Sequence, residues 1–240
     1  MLERHSDWRP GAAAGHSLGE YSALVATGAL RLADAVRLVH LRGKLMQEAV
    51  PPGAGAMAAI LGLTAEVVES ACAAVRAELG GSAVVSPANL NGGGQVVIAG
   101  SKAAIDRAIA VCKERGAKRA LPLSVSAPFH CALMQPAADR LADALDVIDL
   151  ARPAVPVVTN VEALPTQDPA HLRLLLAQQM TAPVRWEETI QQLVAMGATR
   201  AVELGAGTVL AGLCKRITPV LPVHAAGDPE SIAALSVPPV

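Results

Sequence analysis

The stretch that most constrains this chain is Gly15-His16-Ser17-Leu18-Gly19-Glu20-Tyr21, which contains a G-x-S-x-G pentapeptide centred on Ser17. The pattern suits a nucleophile elbow, a sharp strand-to-helix turn that holds a serine hydroxyl exposed on strained backbone. Gly15 and Gly19 sit where a Cβ would crowd the turn or the neighbouring strand. Leu18 to Ala26 reads as the helix that follows, with Gly28 just past its end. Its N-terminus would set backbone N–H groups and the positive end of the helix dipole beside Ser17. Acyl transfer needs that field where an oxyanion forms. The pentapeptide alone also fits a plain turn of small residues. The strand before it is weakly written, because Ala12, Ala13 and Ala14 follow Pro10 and Gly11 with no β-branched residue.

Composition removes several classes. The 240 residues are 52% hydrophobic and carry a net charge of −1, so a sizeable core, even two subdomains, is within reach and nucleic acid is disfavoured as a partner. Aromatics make up only 2%, which leaves no stacking platform for bases and a core of Ala, Val, Leu and Ile. The four cysteines, Cys72, Cys112, Cys131 and Cys214, are widely spaced, as expected of free thiols in a reduced, cytoplasmic setting. The first ten residues lack the apolar run of a secretory signal or membrane span, and no membrane partner is expected.

Further along, Asp34 is placed to cap a helix running to about Val50. Its wheel gathers Arg37, His40, Lys44, Gln47 and Glu48 on one face but sets Arg42 among Ala35, Leu38, Met46 and Ala49. A buried guanidinium needs an anion, either a core carboxylate or a substrate carboxylate held by the arginine fork. Residues 53–126 spell βαββαβ, the ferredoxin-like pattern. Its strands are Ala56–Leu63, Ala83–Asn89, Gln95–Ala99 and Lys118–Val125, with Asn91-Gly92-Gly93-Gly94 as a turn and Thr64 and Ser101 as helix caps. Then comes Pro128-Phe129-His130-Cys131, a histidine at a strand end, where catalytic groups collect in α/β sheets. A satisfied core or surface histidine is the plainer reading of His130 alone. A helix over 132–146, a parallel strand over Val155–Val161, a loop over Ala163–Pro169 and a strand over Arg200–Leu204 follow. Gly205-Ala206-Gly207 reads as tight strand-to-helix packing, since it lacks the rest of a phosphate-binding fingerprint. The expected fold is α/β: an α/β-hydrolase-like subdomain with a parallel sheet from 1–52 and 127–240, interrupted by a ferredoxin-like subdomain at 53–126.

These residues resemble a known family, the malonyl-CoA:acyl carrier protein transacylases of fatty-acid synthesis and the acyltransferase domains of polyketide synthases. The likeness runs nearly end to end. It rests on Gly15 to Tyr21, Arg42-Gly43-Lys44, Gly55-Ala56-Met57-Ala58, Asn89, Asn91 and Gln95 to Gly100. It continues through Pro128-Phe129-His130-Cys131 with Met134, Pro183-Val184-x-Trp186 and Glu203-x-Gly205-x-Gly207. The resemblance implies Ser17 as the nucleophile and His130 as general base. It implies a backbone carbonyl at Gln179, rather than a carboxylate, behind the histidine. Arg42 becomes the clamp for malonate's free carboxylate, the Leu18 N–H an oxyanion donor, and His16 a neighbour of the substrate. Phe129 before His130 resembles malonyl-selective members, where the ring fills the space of an α-methyl branch, a preference worth about 1–3 kcal/mol.

No cofactor is implied beyond the substrates malonyl-CoA and acyl carrier protein, and a monomer is expected. Lys113, Arg115, Lys118 and Arg119 are candidates for a basic docking patch. One departure stands out. The family begins with a Gly-Gln-Gly-Ser-Gln stretch and helices that this sequence lacks, and Met1–Pro10 resembles the end of a helix preceding the elbow strand. Loss of one oxyanion donor costs roughly 10²–10³ in rate, and loss of a strand exposes a sheet edge. Alternatives are a polyketide-type acyltransferase, a serine esterase with an acid–histidine pair late in the chain, or a non-catalytic fragment that binds a carrier protein.

Overall fold

The computed structural model describes residues 9–81 and 83–235. The helix end expected over Met1–Pro10 therefore falls outside the described residues except for Arg9 and Pro10, which are irregular, and His5 falls outside as well. Strand β1 (Ala13–Ala14) leads through the elbow into helix α1 (Gly19–Ala26), and α2 (Leu32–Glu48) follows. Asp34 does not cap α2. Arg31 holds the N-cap position, and Asp34 sits inside the first turn, accepting from Arg31 at 2.6 Å. The wheel is otherwise as read, with Ala35, Leu38, Arg42, Leu45 and Met46 buried.

Residues 55–122 build a second layer. Its elements are β2 (Gly55–Leu61), α3 (Ala65–Leu79), β3 (Val85–Leu90), β4 (Gln95–Ser101), α4 (Lys102–Glu114) and β5 (Arg119–Pro122). The strands pair antiparallel in the order β3-β4-β2-β5. Val68, Ala71, Cys72 and Val75 recur at i, i+3, i+4 and i+7, so one stripe of α3 reaches Ile60, Val85 and Ile98 of the sheet. Small side chains let the helices sit close, as a core with almost no aromatics requires. Thr64 caps α3 by accepting from Val67 N–H, whereas the Ser101 hydroxyl donates to Val84 O instead of capping α4. Gly92, Gly93 and Gly94 all take positive φ in the β3–β4 turn, where a Cβ would strain the backbone.

The chain then returns to β1. A 3₁₀ turn (Ala132–Met134) opens α5 (Gln135–Asp146), followed by β6 (Val157–Val158), β7 (Pro165–Thr166) and α6 (Pro169–Gln178). β6 runs parallel to β1, but β7 is antiparallel to β6, so the region read as a loop carries a short strand and this sheet is mixed. Leu24, Leu38, Leu45, Leu141, Leu145, Leu172 and Leu176 form its core. Helix α7 (Trp186–Ala195), β8 (Ala201–Leu204), α8 (Val209–Ile217), β9 (Val223–Ala226) and α9 (Pro229–Ala233) complete the described chain, with β8 parallel to β9. The Glu203 carboxylate accepts from Leu210 and Ala211 N–H, which occupies the N-terminus of α8 beyond the Gly205–Gly207 turn with the protein's own anion. Backbone pairing of Leu90 and Ala88 with Val184 ties the antiparallel sheet to the segment before α7.

Candidate active site

Ser17 adopts φ 52°, the left-handed region, at the junction of β1 and α1. A Cβ on Gly15 would lie 2.0 Å from the Gly19 carbonyl, so glycine is required there. A Cβ on Gly19 meets nothing within 4 Å, and the expectation of crowding at that position is not met. Asn160, just after β6, braces the strained turn from both sides. Its Oδ1 accepts from Ser17 N–H at 2.7 Å and its Nδ2 donates to Gly15 O at 2.7 Å.

His130 reaches the same point from the turn after Pro128 and also takes positive φ, 59°. Its Nδ1 is 2.8 Å from Gln179 O and its Nε2 is 2.8 Å from Ser17 Oγ. A carbonyl can only accept, so Nδ1 carries the proton and Nε2 is left to accept from the serine hydroxyl. Burial, and then the Arg42 cation, hold the imidazole down to about 3, so it is neutral near pH 7.

Arg42 enters from α2, 5% exposed, and donates through one Nη to Ser17 Oγ at 2.9 Å and Gln179 Oε1 at 3.0 Å. It forms no salt bridge among the described residues, and its buried Nε has no partner there. The Tyr21 ring lies beneath the guanidinium at 5.8 Å, and desolvation lowers the arginine's affinity for its proton. An arginine held in a pocket with neutral acceptors and a free donor is arranged to receive an anion. Ser17, Arg42, Gly43, Met46, Gln47, Phe129 and His130 line a cavity of about 230 Å³. A larger crevice of about 400 Å³, over Gly62–Glu66 and Gly92–Val96, is lined by none of Ser17, His130 and Arg42.

The remaining expected residues fall as follows. Gln179, and not Gln178, supplies the carbonyl behind His130. Phe129 forms part of the cavity wall. No acceptor among the described residues takes the N–H of Leu18, the N-cap residue of α1. His16, expected at the substrate, instead gives Nε2 to Asn91 Oδ1 at 2.9 Å, sets its ring edge-on to Trp186, and does not line the cavity. Lys113, Arg115, Lys118 and Arg119 do not line it either, and Arg115 is engaged with Ser70 and Val67 on α3. Among the described residues, no three His, Cys, Asp or Glu side chains are grouped as a metal would require, and no helix is long and apolar enough to cross a membrane.

A strained serine, a histidine oriented by a main-chain carbonyl and a buried arginine thus meet at one hydroxyl. Comparison with known proteins shows the family. Residues 6–219 match the acyl transferase domain model. The chain belongs to the acyl transferase family. This acyl transferase chain is 50% identical over 234 residues to the malonyl CoA-acyl carrier protein transacylase of Escherichia coli O157:H7, covering 98% of this chain and 74% of that protein. It is 48% identical over 229 residues to the protein of the same name from Bacillus subtilis, covering 95% and 71%. Its fold superposes with TM-score 0.92 on the crystal structure of an acyl carrier protein S-malonyltransferase from Vibrio cholerae at 49% identity, covering 95% of this chain and 74% of that one. The same score and identity hold for a malonyl-transacylase solved in complex with its type II PKS acyl-carrier protein, with 96% and 74% covered.

Sequence reasoning misses four parts of this candidate site: Asn160, Glu20, Asn91 and the side chain of Gln179. Glu20 is fully buried on α1, and burial pushes its carboxyl up to about 7. Glu20 carries the signal that singled out Arg42, a charge sharing a helix face with Ala23 and Leu24, whereas Asn160, beside Thr159 and near Glu162, does not. The Gln179 side chain carries no such signal, because its partners are distant in sequence.

Proposed function

We propose that the chain transfers the malonyl group of malonyl-CoA, through an ester on Ser17, to the phosphopantetheine thiol of acyl carrier protein. The observation that carries this reading is the pair of contacts on Ser17 Oγ, His130 Nε2 at 2.8 Å and Arg42 Nη at 2.9 Å. Ser17 Oγ attacks the thioester carbonyl carbon as its proton passes to His130 Nε2. The tetrahedral oxyanion, met by the Leu18 N–H, collapses; the C–S bond breaks, and the CoA sulfur leaves with the proton from His130. In the second half, the carrier thiol gives its proton to His130 and attacks the ester. Ser17 then departs with that proton.

Arg42 holds malonate's free carboxylate bidentately and so aims the acyl carbon at Ser17. That carboxylate also offsets the cation which, after burial, holds His130 low, so a bound malonyl group strengthens the base that acts on it. An acyl group without a carboxylate leaves the base weak. The Gln179 carbonyl holds the histidine's tautomer, Phe129 narrows the pocket against α-branched acyl groups, and His16 braces the elbow. We read 53–126 as a ferredoxin-like subdomain inserted into an α/β-hydrolase-like one spanning 1–52 and 127–240; the separate apolar cores support this. The acceptor belongs to fatty-acid synthesis in this reading, and the chain acts as a cytoplasmic monomer with neither nucleic acid nor membrane as partner. An esterase is disfavoured because a carbonyl, not an acid, backs His130.

Intact mass of the protein after mixing with malonyl-CoA tests the reading. A malonyl adduct is expected on the wild type and absent from Ser17→Ala. No adduct on folded wild type would favour the non-catalytic, carrier-binding alternative.

A further inference from the structure

Glu20 is fully buried, yet it forms no salt bridge among the described residues, and its Oε1 has no partner there. Its Oε2 accepts from Asn160 N–H at 3.1 Å and from Gln179 Nε2 at 2.8 Å. A carboxyl in the interior without an ion pair is costly, and an apolar residue would fill α1 more favourably. The reason for a carboxyl lies in its neighbour.

A glutamine amide has two nearly identical shapes, related by exchanging its oxygen and nitrogen, and its neighbours decide which one it takes. At Gln179 those neighbours agree. Nε2 faces three acceptors, Glu20 Oε2 at 2.8 Å, Ser17 O at 3.1 Å and Asn160 Oδ1 at 3.4 Å, while Oε1 faces the donating Nη of Arg42 at 3.0 Å. Exchanged, the amide would set oxygen against oxygen on one side and NH₂ against guanidinium on the other. The other two are weaker arbiters: Ser17 O already accepts from Glu20 N–H in the first turn of α1, and Asn160 Oδ1 is the most distant and already accepts from Ser17 N–H.

We propose that Glu20 is a positioning residue: it fixes the polarity of the Gln179 side-chain amide and thereby holds Arg42 in the direction of Ser17 and the acyl carboxylate. Protonated or ionised, Oε2 remains an acceptor, so the arrangement survives a change in the charge of Glu20. The inference rests on the malonyl-transfer reading above, because its readout is how Arg42 treats an acyl group with a carboxylate.

The test compares malonyl-CoA with acetyl-CoA as acyl donors, by the rate of Ser17 acylation in wild type, Glu20→Met and Glu20→Gln, with folding checked by circular dichroism. Glu20→Met keeps the length and removes the acceptor. Its preference for malonyl over acetyl is expected to fall at least about tenfold, the loss of one charge-assisted bond. Glu20→Gln retains an acceptor for both donors and is expected to hold the preference within about threefold. In an Arg42→Ala background, Glu20→Met should leave the already lowered preference unchanged, whereas a general loss of packing would not depend on Arg42. A folded Glu20→Met with the wild-type preference would overturn the proposal, as would Glu20→Gln falling as far as Glu20→Met. Should Glu20→Met not fold, Glu20→Leu, which also removes the acceptor, takes its place with the same two outcomes. A wild type that takes neither acyl group would fail the functional reading instead.

Discussion

At the scale of single residues, the site is a set of buried polar groups whose burial has opposite effects on stability. His130 is held down to about 3 from its ordinary 6.5, so its contribution is fully present above pH 6.5 and is lost as pH falls toward 3. Glu20 is pushed up to about 7 from 4.5, so its contribution is fully present below pH 4.5 and is lost as pH rises through 7. Between those ordinary values the folded protein lacks a proton on His130 and holds one on Glu20, and the two slopes oppose each other. Glu20→Gln removes one of them. Its unfolding free energy is expected to rise with pH by about 1.4 kcal/mol per unit more steeply than the wild type's between about pH 4.5 and pH 6.5. Urea unfolding of both proteins at about pH 5 and about pH 6.5 measures the difference, and parallel slopes would show that Glu20 stays ionised in the fold.

Among elements, the elbow shows how two residues of one motif carry unequal weight. Gly15 is enforced by the backbone of α1, which returns within 2.0 Å of where a Cβ would stand. Gly19 opens that helix and faces free space. Gly15→Ala is therefore expected to cost about 3 kcal/mol or more, because backbone rather than a movable side chain must give way. Gly19→Ala should be neutral or stabilising by up to about 1 kcal/mol, the helix propensity gained. Thermal melting of the two variants checks the contrast, and equal losses would refute it. The two-residue β1 owes little to its own alanines. Parallel pairing with β6 and the Asn160 bonds hold it, which is why strand propensity gave so faint a signal there.

Across the whole molecule, the antiparallel sheet is built into the site. A Cβ on Gly55, the first residue of β2, would stand 2.4 Å from the Pro128 ring, one residue before Phe129 and two before His130. Gly55→Ala is expected to displace that turn, lowering Ser17 acylation roughly 10–100-fold at a stability cost of about 1–3 kcal/mol. Adduct formation timed by intact mass, beside urea unfolding, separates the two effects; unchanged acylation would mean that Pro128 yields without moving His130. His16 makes a second link, through Asn91 in the β3–β4 turn. The sequence by itself determined the class of fold, the βαββαβ order, the serine, the histidine and the misplaced arginine, because periodicity, glycine turns and a charge on an apolar face are local signals. What only the tertiary structure decided is how these groups meet: Asn160 on Ser17, Glu20 behind Gln179, and Gln179 touching Ser17, Arg42 and His130 at once. Those bonds join residues as far as 162 positions apart, and no local preference of a glutamine or a glutamate encodes its partner. They form because packing buries the groups together, and a buried polar group must find a hydrogen bond.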